Sequence, residues 1–486
     1  MTPLDQARAL ISRHGARTEP ARRVIGMLCE GPQTLAELVR GAAMPRRGVE
    51  ELLSALDGDL VRNRDTYEIR ADAIASYSEA FTDLPPIAPD LAVIRSDVDS
   101  VPPPLAALDH VQATPETVAR RASWLNEHYE LSGRTLLCLG DHDLTSLAVA
   151  AVNPGVAVIV VDLDDRVLAH IDTRARERGL NIRCLHADLR FGLPPAVMES
   201  SDLVFSDPPY TPEGMALFAG RGIEALRDTA YGRLLLAYGF SDRTPALGQK
   251  VQQELLGIGL AFEAILPGFH RFDGAQAIGS AADLYVCQAT SRGRKAAQRT
   301  GIYTHGPQSI EATSTVDTAA LLAFTGDSVV QQPDWTQPIT GRSVTIDASA
   351  DPGPWLLRIL LACNAERLSV LVPNNHVDIR DERGQKSLST VVSSKYKLRF
   401  HRSTPDGKHA VVVATRVGAG LLDRVHGKLG NALREAMIAE SGGTLTKREA
   451  KELVAARIPG EADLRLIDLP RHRIEELTSP RDVQGA

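Results

Sequence analysis

The sequence contains no apolar run long enough to cross a bilayer. Its first twenty residues, MTPLDQARALISRHGARTEP, carry charges where a secretion signal needs an apolar stretch, so a cytoplasmic location with no membrane partner is expected. Cysteine is scarce. Cys29, Cys138, Cys184, Cys287 and Cys363 stand singly in a chain of 486 residues, which suggests neither a disulfide framework nor a clustered zinc site, and no metal is expected. An excess of positive charge is also missing. The 54 Lys and Arg against 61 Asp and Glu leave a net charge of −7, which gives no general attraction to nucleic acid but suits a polycationic small molecule.

With 43% hydrophobic and 24% charged residues the composition is that of a folded protein, long enough for about three domains at roughly 100–200 residues each. Residues 1–82 follow a winged helix-turn-helix pattern, with Thr34 capping a helix, Gly41 and Pro45 shaping a turn, and Asp57-Gly58 opening a hairpin. Over that stretch 11 basic residues face 12 acidic ones, and Arg46-Arg47 is the only concentrated positive spot. A docking or dimerisation module, with a homodimer as the corresponding assembly, is therefore preferred to DNA binding. Residues 83–105 are proline-rich and read as a semi-rigid linker.

Residues 106–290 alternate helical patterns with short β-branched runs, as parallel strands buried on both faces do. The expected fold is α/β, a Rossmann-like domain of the class I S-adenosylmethionine-dependent transferases. Thr114 before Pro115 reads as a helix N-cap. After a polar break from about 291, residues 301–486 read as a third α/β or α+β domain of unassigned role, with a capping box at Thr446 and Glu449.

In an open α/β sheet, ligands bind beyond the carboxyl ends of the strands. Four such ends here are acidic: Gly140-Asp141-His142-Asp143, Asp162-Leu163-Asp164, Asp188, and Asp207-Pro208-Pro209-Tyr210. Asp162 is placed to accept the ribose hydroxyls of an adenosyl donor, and Asp188 to accept from the adenine amino group. The first loop has one glycine and no G-x-G-x-x-G, and Asp141 and Asp143 would repel a pyrophosphate, so a cationic sulfonium donor is preferred to a dinucleotide. In Asp207-Pro208-Pro209-Tyr210 the prolines remove backbone donors, leaving acceptors for a substrate nitrogen, while Tyr210 can lie along a cationic group.

The strings TPETVARRASWL, LCLGDHDLTS, VVDLDDRV, ADLR and DPPYTPEGMALFAGRGIEAL resemble those of the branched-chain polyamine synthases, the N4-bis(aminopropyl)spermidine synthases, up to about residue 290. The resemblance implies transfer of the propylamine arm of decarboxylated S-adenosylmethionine to a small-molecule amine. It implies a donor cleft at Gly140, Asp162 and Asp188, with catalysis at Asp141, His142, Asp143 and Asp207. Where the family has three consecutive aspartates this chain has His142, read as a proton acceptor or as a cap of the following helix. His270 and Arg271 replace acidic and aromatic residues and are expected to make the pocket less negative. The alternatives are an N-methyltransferase using S-adenosylmethionine and a transcriptional regulator with a ligand-sensing Rossmann domain.

Overall fold

The computed structural model describes residues 1–81, 87–293, 301–306, 308–309, 318–326 and 329–479. Residue 82, part of the proline-rich linker (83–86) and part of the polar break (294–300) lie outside them. Among the described residues no helix is long and apolar enough to cross a membrane.

The amino-terminal part combines helices Pro3–Ser12, Glu19–Glu30, Leu35–Ala42, Arg46–Ala55 and Ile74–Phe81 with a small antiparallel sheet. Thr34 forms a capping box with Glu37, and Pro45 precedes the Arg46–Ala55 helix. The 57–59 turn leads into the hairpin Leu60–Asn63 and Thr66–Ile69. Arg46 and Arg47 are each paired with a glutamate one turn on, Glu50 and Glu51, so this basic pair carries its own counter-charges.

The linker is not wholly extended. Residues Leu91–Ser100 form a helix because Asp90 caps the N–H groups of Ala92 and Val93, and its Ile94 is buried. Asp97 on the same helix is tied to Arg178 and Arg174. The proline run 102–104 that follows the helix has neither helix nor strand, as a spacer would.

The central sheet has eight strands: β1 (Gln112–Ala113), β2 (Thr135–Leu139), β3 (Ala157–Asp162), β4 (Ile182–His186), β5 (Leu203–Ser206), β6 (Arg233–Tyr238), β7 (Leu260–Asp273) and β8 (Ala281–Ala289). Their order is β1-β7-β8-β6-β5-β2-β3-β4. Strands β2 to β6 are parallel to their neighbours among themselves, whereas β8 runs antiparallel between β6 and β7. The sheet is therefore mixed rather than all parallel, because a hairpin, which needs no crossover helix, completes it. Alternation sends Leu136 and Cys138 into one apolar core and Leu137 and Leu139 into the other. The chain reverses direction across the sheet between β2 and β5, so the crevice falls at their carboxyl ends. Thr114 caps the Pro115–His128 helix as expected.

The carboxyl-terminal part builds a second mixed sheet from Val329–Gln331, Ser343–Asp347, Arg367–Pro373, His409–Arg416 and Tyr396–Arg402, in that spatial order. The Thr446–Glu449 capping box is present. Its apolar core is continuous with one face of the central sheet. Buried Arg358 ties the two parts further, placing its guanidinium 2.8 and 3.0 Å from the two oxygens of Asp165.

Candidate active site

The four acidic strand ends converge on one cavity of about 600 Å³. Its walls also take in residues 106–111, the hairpin tip at Ala275 and Ile278, and the segment Ile302–His305. Thr304 crosses the mouth and donates its N–H and hydroxyl to Asp109, at 2.7 and 2.6 Å.

At the end of β2, Gly140 adopts φ +70, a left-handed conformation that favours glycine, and the chain turns into the acidic loop. Asp141 Oδ2 accepts the N–H of Ser146 at 3.1 Å, while its own N–H goes to Asp162 Oδ2 at 2.9 Å. Asp141 lines the cavity and has no cation partner among the described residues. Burial, with Asp143 and Asp162 nearby, pushes this carboxyl up to about 7. Asp162 receives one backbone N–H on each oxygen, from Asp141 and from Asp164 (2.7 Å), so each keeps a second lone pair for a hydroxyl. Burial raises Asp162 to about 6.

Asp188 is differently placed from its sequence assignment. Oδ1 accepts from the Arg190 backbone N–H and Nε at 3.0 and 2.8 Å; Oδ2 accepts from Arg190 Nη2 and from the indole Nε1 of Trp355 at 3.0 Å. These four donors fill the roughly four acceptor sites of a carboxylate, leaving none for an adenine amino group. Burial works to raise its pKa, but Arg190 beside it holds it below the usual value.

The residue that sequence reading missed is Arg121. Its side chain is fully buried and bridges two of the acidic strand ends, with Nη1 2.8 Å from Asp143 Oδ2 and Nη2 2.9 Å from Asp207 Oδ2. Asp143 also accepts the Ala113 N–H at 2.6 Å, and Asp207 the Tyr210 hydroxyl at 2.9 Å. Asp143 and Asp207 hydrogen-bond to one another, and burial together with Asp143 pushes Asp207 up to about 7 against the pull of Arg121. A signal was present in the helix, where Arg121 shares the buried face with Thr117, Val118, Ala122 and Leu125.

The expected charge contributions of His270 and Arg271 are corrected. His270 is buried and accepts from Arg121 Nε on Nδ1 at 3.1 Å, and burial beside that guanidinium keeps it well below its ordinary pKa, hence neutral. Arg271 turns its guanidinium onto the carbonyls of Gly268 and His270 and does not line the cavity. His142 caps no helix, since Asp141 serves the Ser146 N–H; its Nε2 donates to the Pro102 carbonyl at 3.1 Å. Its Nδ1 is buried without a partner, and its ring packs against that of His110, 4.6 Å between centroids. Pro208, Pro209 and Tyr210 all line the cavity.

The sheet order with a terminal antiparallel hairpin, and a cleft at the carboxyl ends of β2, β3 and β5, define a methyltransferase-like Rossmann domain. Residues 92–294 match the model of the branched-chain polyamine synthase A C-terminal domain. The N(4)-bis(aminopropyl)spermidine synthase of Thermococcus kodakarensis is 30% identical over 175 residues, 35% of this chain and 49% of that protein. The enzyme of the same name from Thermus thermophilus is 31% identical over 173 residues, 35% of this chain and 50% of that protein. The chain thus spans about half the length of the curated relatives it matches. Among solved structures, the Thermus thermophilus branched-chain polyamine synthase in complex with N4-aminopropylspermidine and 5'-methylthioadenosine is 22% identical, covering 62% of this chain and 96% of that one at a TM-score of 0.38.

Proposed function

We propose that the cavity binds decarboxylated S-adenosylmethionine and transfers its aminopropyl group to the nitrogen of a small-molecule amine. The observation that carries this reading is the Asp141 carboxyl, which lines the cavity without a cation partner among the described residues, between Asp162 and the Asp143–Asp207 pair. A carboxylate there attracts the ammonium of a decarboxylated donor and repels the carboxylate of S-adenosylmethionine. Asp162 takes the ribose hydroxyls. The acceptor nitrogen lies against Asp207 and Tyr210, attacks the carbon next to sulfur with its lone pair, and the carbon–sulfur pair leaves on sulfur as neutral 5'-methylthioadenosine. Most of the rate comes from alignment, because a neutral amine and a sulfonium react once held in line. The names of the relatives point to a polyamine acceptor.

The test offers both donors to the purified protein with a panel of amines and identifies products by mass spectrometry. The expected result is an amine heavier by one aminopropyl group together with 5'-methylthioadenosine. A methylated amine from S-adenosylmethionine would replace this reading with the N-methyltransferase one.

A further inference from the structure

A deprotonated amine is required for attack, yet carboxylates around an amine hold it as the unreactive ammonium ion. The cavity presents that conflict in an acute form, since Asp141, Asp143 and Asp207 all reach its reacting end. Resting on the aminopropyl-transfer reading, we propose that Arg121 is the positioning residue that resolves it: its guanidinium binds Asp143 and Asp207 into one proton-sharing unit and offsets their charge beside the attacking nitrogen.

The geometry supports a built unit. Four of the five N–H donors of Arg121 are engaged, by Asp143, Asp207, Thr145 Oγ1 (3.1 Å) and His270 Nδ1 (3.1 Å), and the guanidinium lies 4.9 Å from the centroid of the Phe205 ring. The two carboxylates stand at the ends of β2 and β5, which are paired neighbours in the sheet, so their separation is fixed by the scaffold. His270 supplies an acceptor without charge, which avoids a second cation against the guanidinium. The other titratable groups facing the unit are Asp141 and His142 on the same loop, Tyr210 after β5, and buried Cys138 beneath it. With both carboxylates ionised the three charges sum to −1. When the attacking nitrogen has formed its bond to carbon, its proton passes to the pair and the unit becomes neutral, so no net charge is left buried.

The charge argument separates Arg121→Met from Arg121→Lys. The infrared carboxyl absorption that is lost in Asp207→Asn reports the shared proton without any need for turnover. Its titration midpoint is expected to rise by about one pH unit or more in Arg121→Met, as removal of an adjacent guanidinium implies. The acid limb of kcat/KM should move to higher pH with it. Arg121→Lys keeps the charge but cannot span both carboxylates; its midpoint should stay near that of the wild type while turnover falls roughly tenfold or more. An unmoved midpoint in Arg121→Met overturns the assignment of Arg121 and leaves the functional reading standing. If Arg121→Met does not fold, wild-type turnover in Arg121→Lys overturns it instead. A midpoint that moves in a protein with no aminopropyl transfer to any amine sinks the functional reading and keeps the electrostatic role.

Discussion

Trp355 donates its indole N–H to Oδ2 of Asp188 across 3.0 Å, in the buried seam where the carboxyl-terminal part meets the cavity. Together with Arg190, whose guanidinium lies 5.0 Å from the Trp355 ring, this contact makes Asp188 a structural carboxylate. Asp188→Asn should therefore act first on stability. Removing one partner of a buried ion pair costs about 3–5 kcal/mol, and the melting temperature should drop accordingly. Asp162→Asn, which leaves one of the two backbone N–H groups without its acceptor, should melt less far below the wild type than Asp188→Asn but bind 5'-methylthioadenosine roughly tenfold or more weakly, as loss of a charged hydrogen bond to a hydroxyl implies. Calorimetry and thermal melts on the two variants check the division; a large affinity loss in Asp188→Asn with an unchanged melt would return Asp188 to adenine recognition.

Donor choice should depend on Asp141. Asp143 is already paired with Arg121, so the preference for the decarboxylated donor rests on Asp141, which has no cation partner among the described residues. Asp141→Asn should bring the affinities of the two donors together, chiefly by weakening the decarboxylated one, when both are titrated by calorimetry.

Much of this site is legible in the sequence, because the acidic residues sit where strands end and strand ends are readable from β-branched runs. The four strings do meet in one cavity. Their pairing is not legible, since it depends on what crosses from other elements. Arg121 comes from the helix between β1 and β2, and Trp355 from a helix 167 residues beyond Asp188. The β7–β8 hairpin was missed for a related reason: β7 is interrupted by Pro267 and Gly268 and carries register shifts, so its alternation is broken. His270 could be named as a departure, but its neutrality follows from the unforeseen Arg121.

The unliganded protein should lose stability as pH rises from the ordinary carboxylate range, about 4, to about 7. Burial lifts the folded pKa of Asp141 and of Asp207 to about 7, above the ordinary carboxylate value. A raised acid binds more protons when folded, so its cost is absent below the unfolded pKa and fully developed above the folded one. Asp141→Asn should therefore raise the melting temperature at pH 8 and give little gain at pH 4. A gain that is the same at both values would show that the carboxyl titrates alike in the folded and unfolded protein, so that burial does not raise its pKa.

His142 offers the last test, because it is where this chain leaves the three-aspartate string of its relatives. Its Nε2 is committed to the Pro102 carbonyl and its Nδ1 is sealed from solvent, so neither nitrogen can collect a proton from an amine in the cavity. His142→Gln, whose amide can still donate to that carbonyl, should lower turnover through looser packing against His110 while leaving the pH of the acid limb where it is in the wild type. His142→Asp places an acceptor against the Pro102 carbonyl with no donor between them, and burying that unpaired carboxylate should lower the melting temperature without improving use of polyamines. A pH–rate series on both variants, read beside their melts, decides the matter: loss of the acid limb in His142→Gln would make His142 the proton acceptor and remove that role from the Asp143–Asp207 pair.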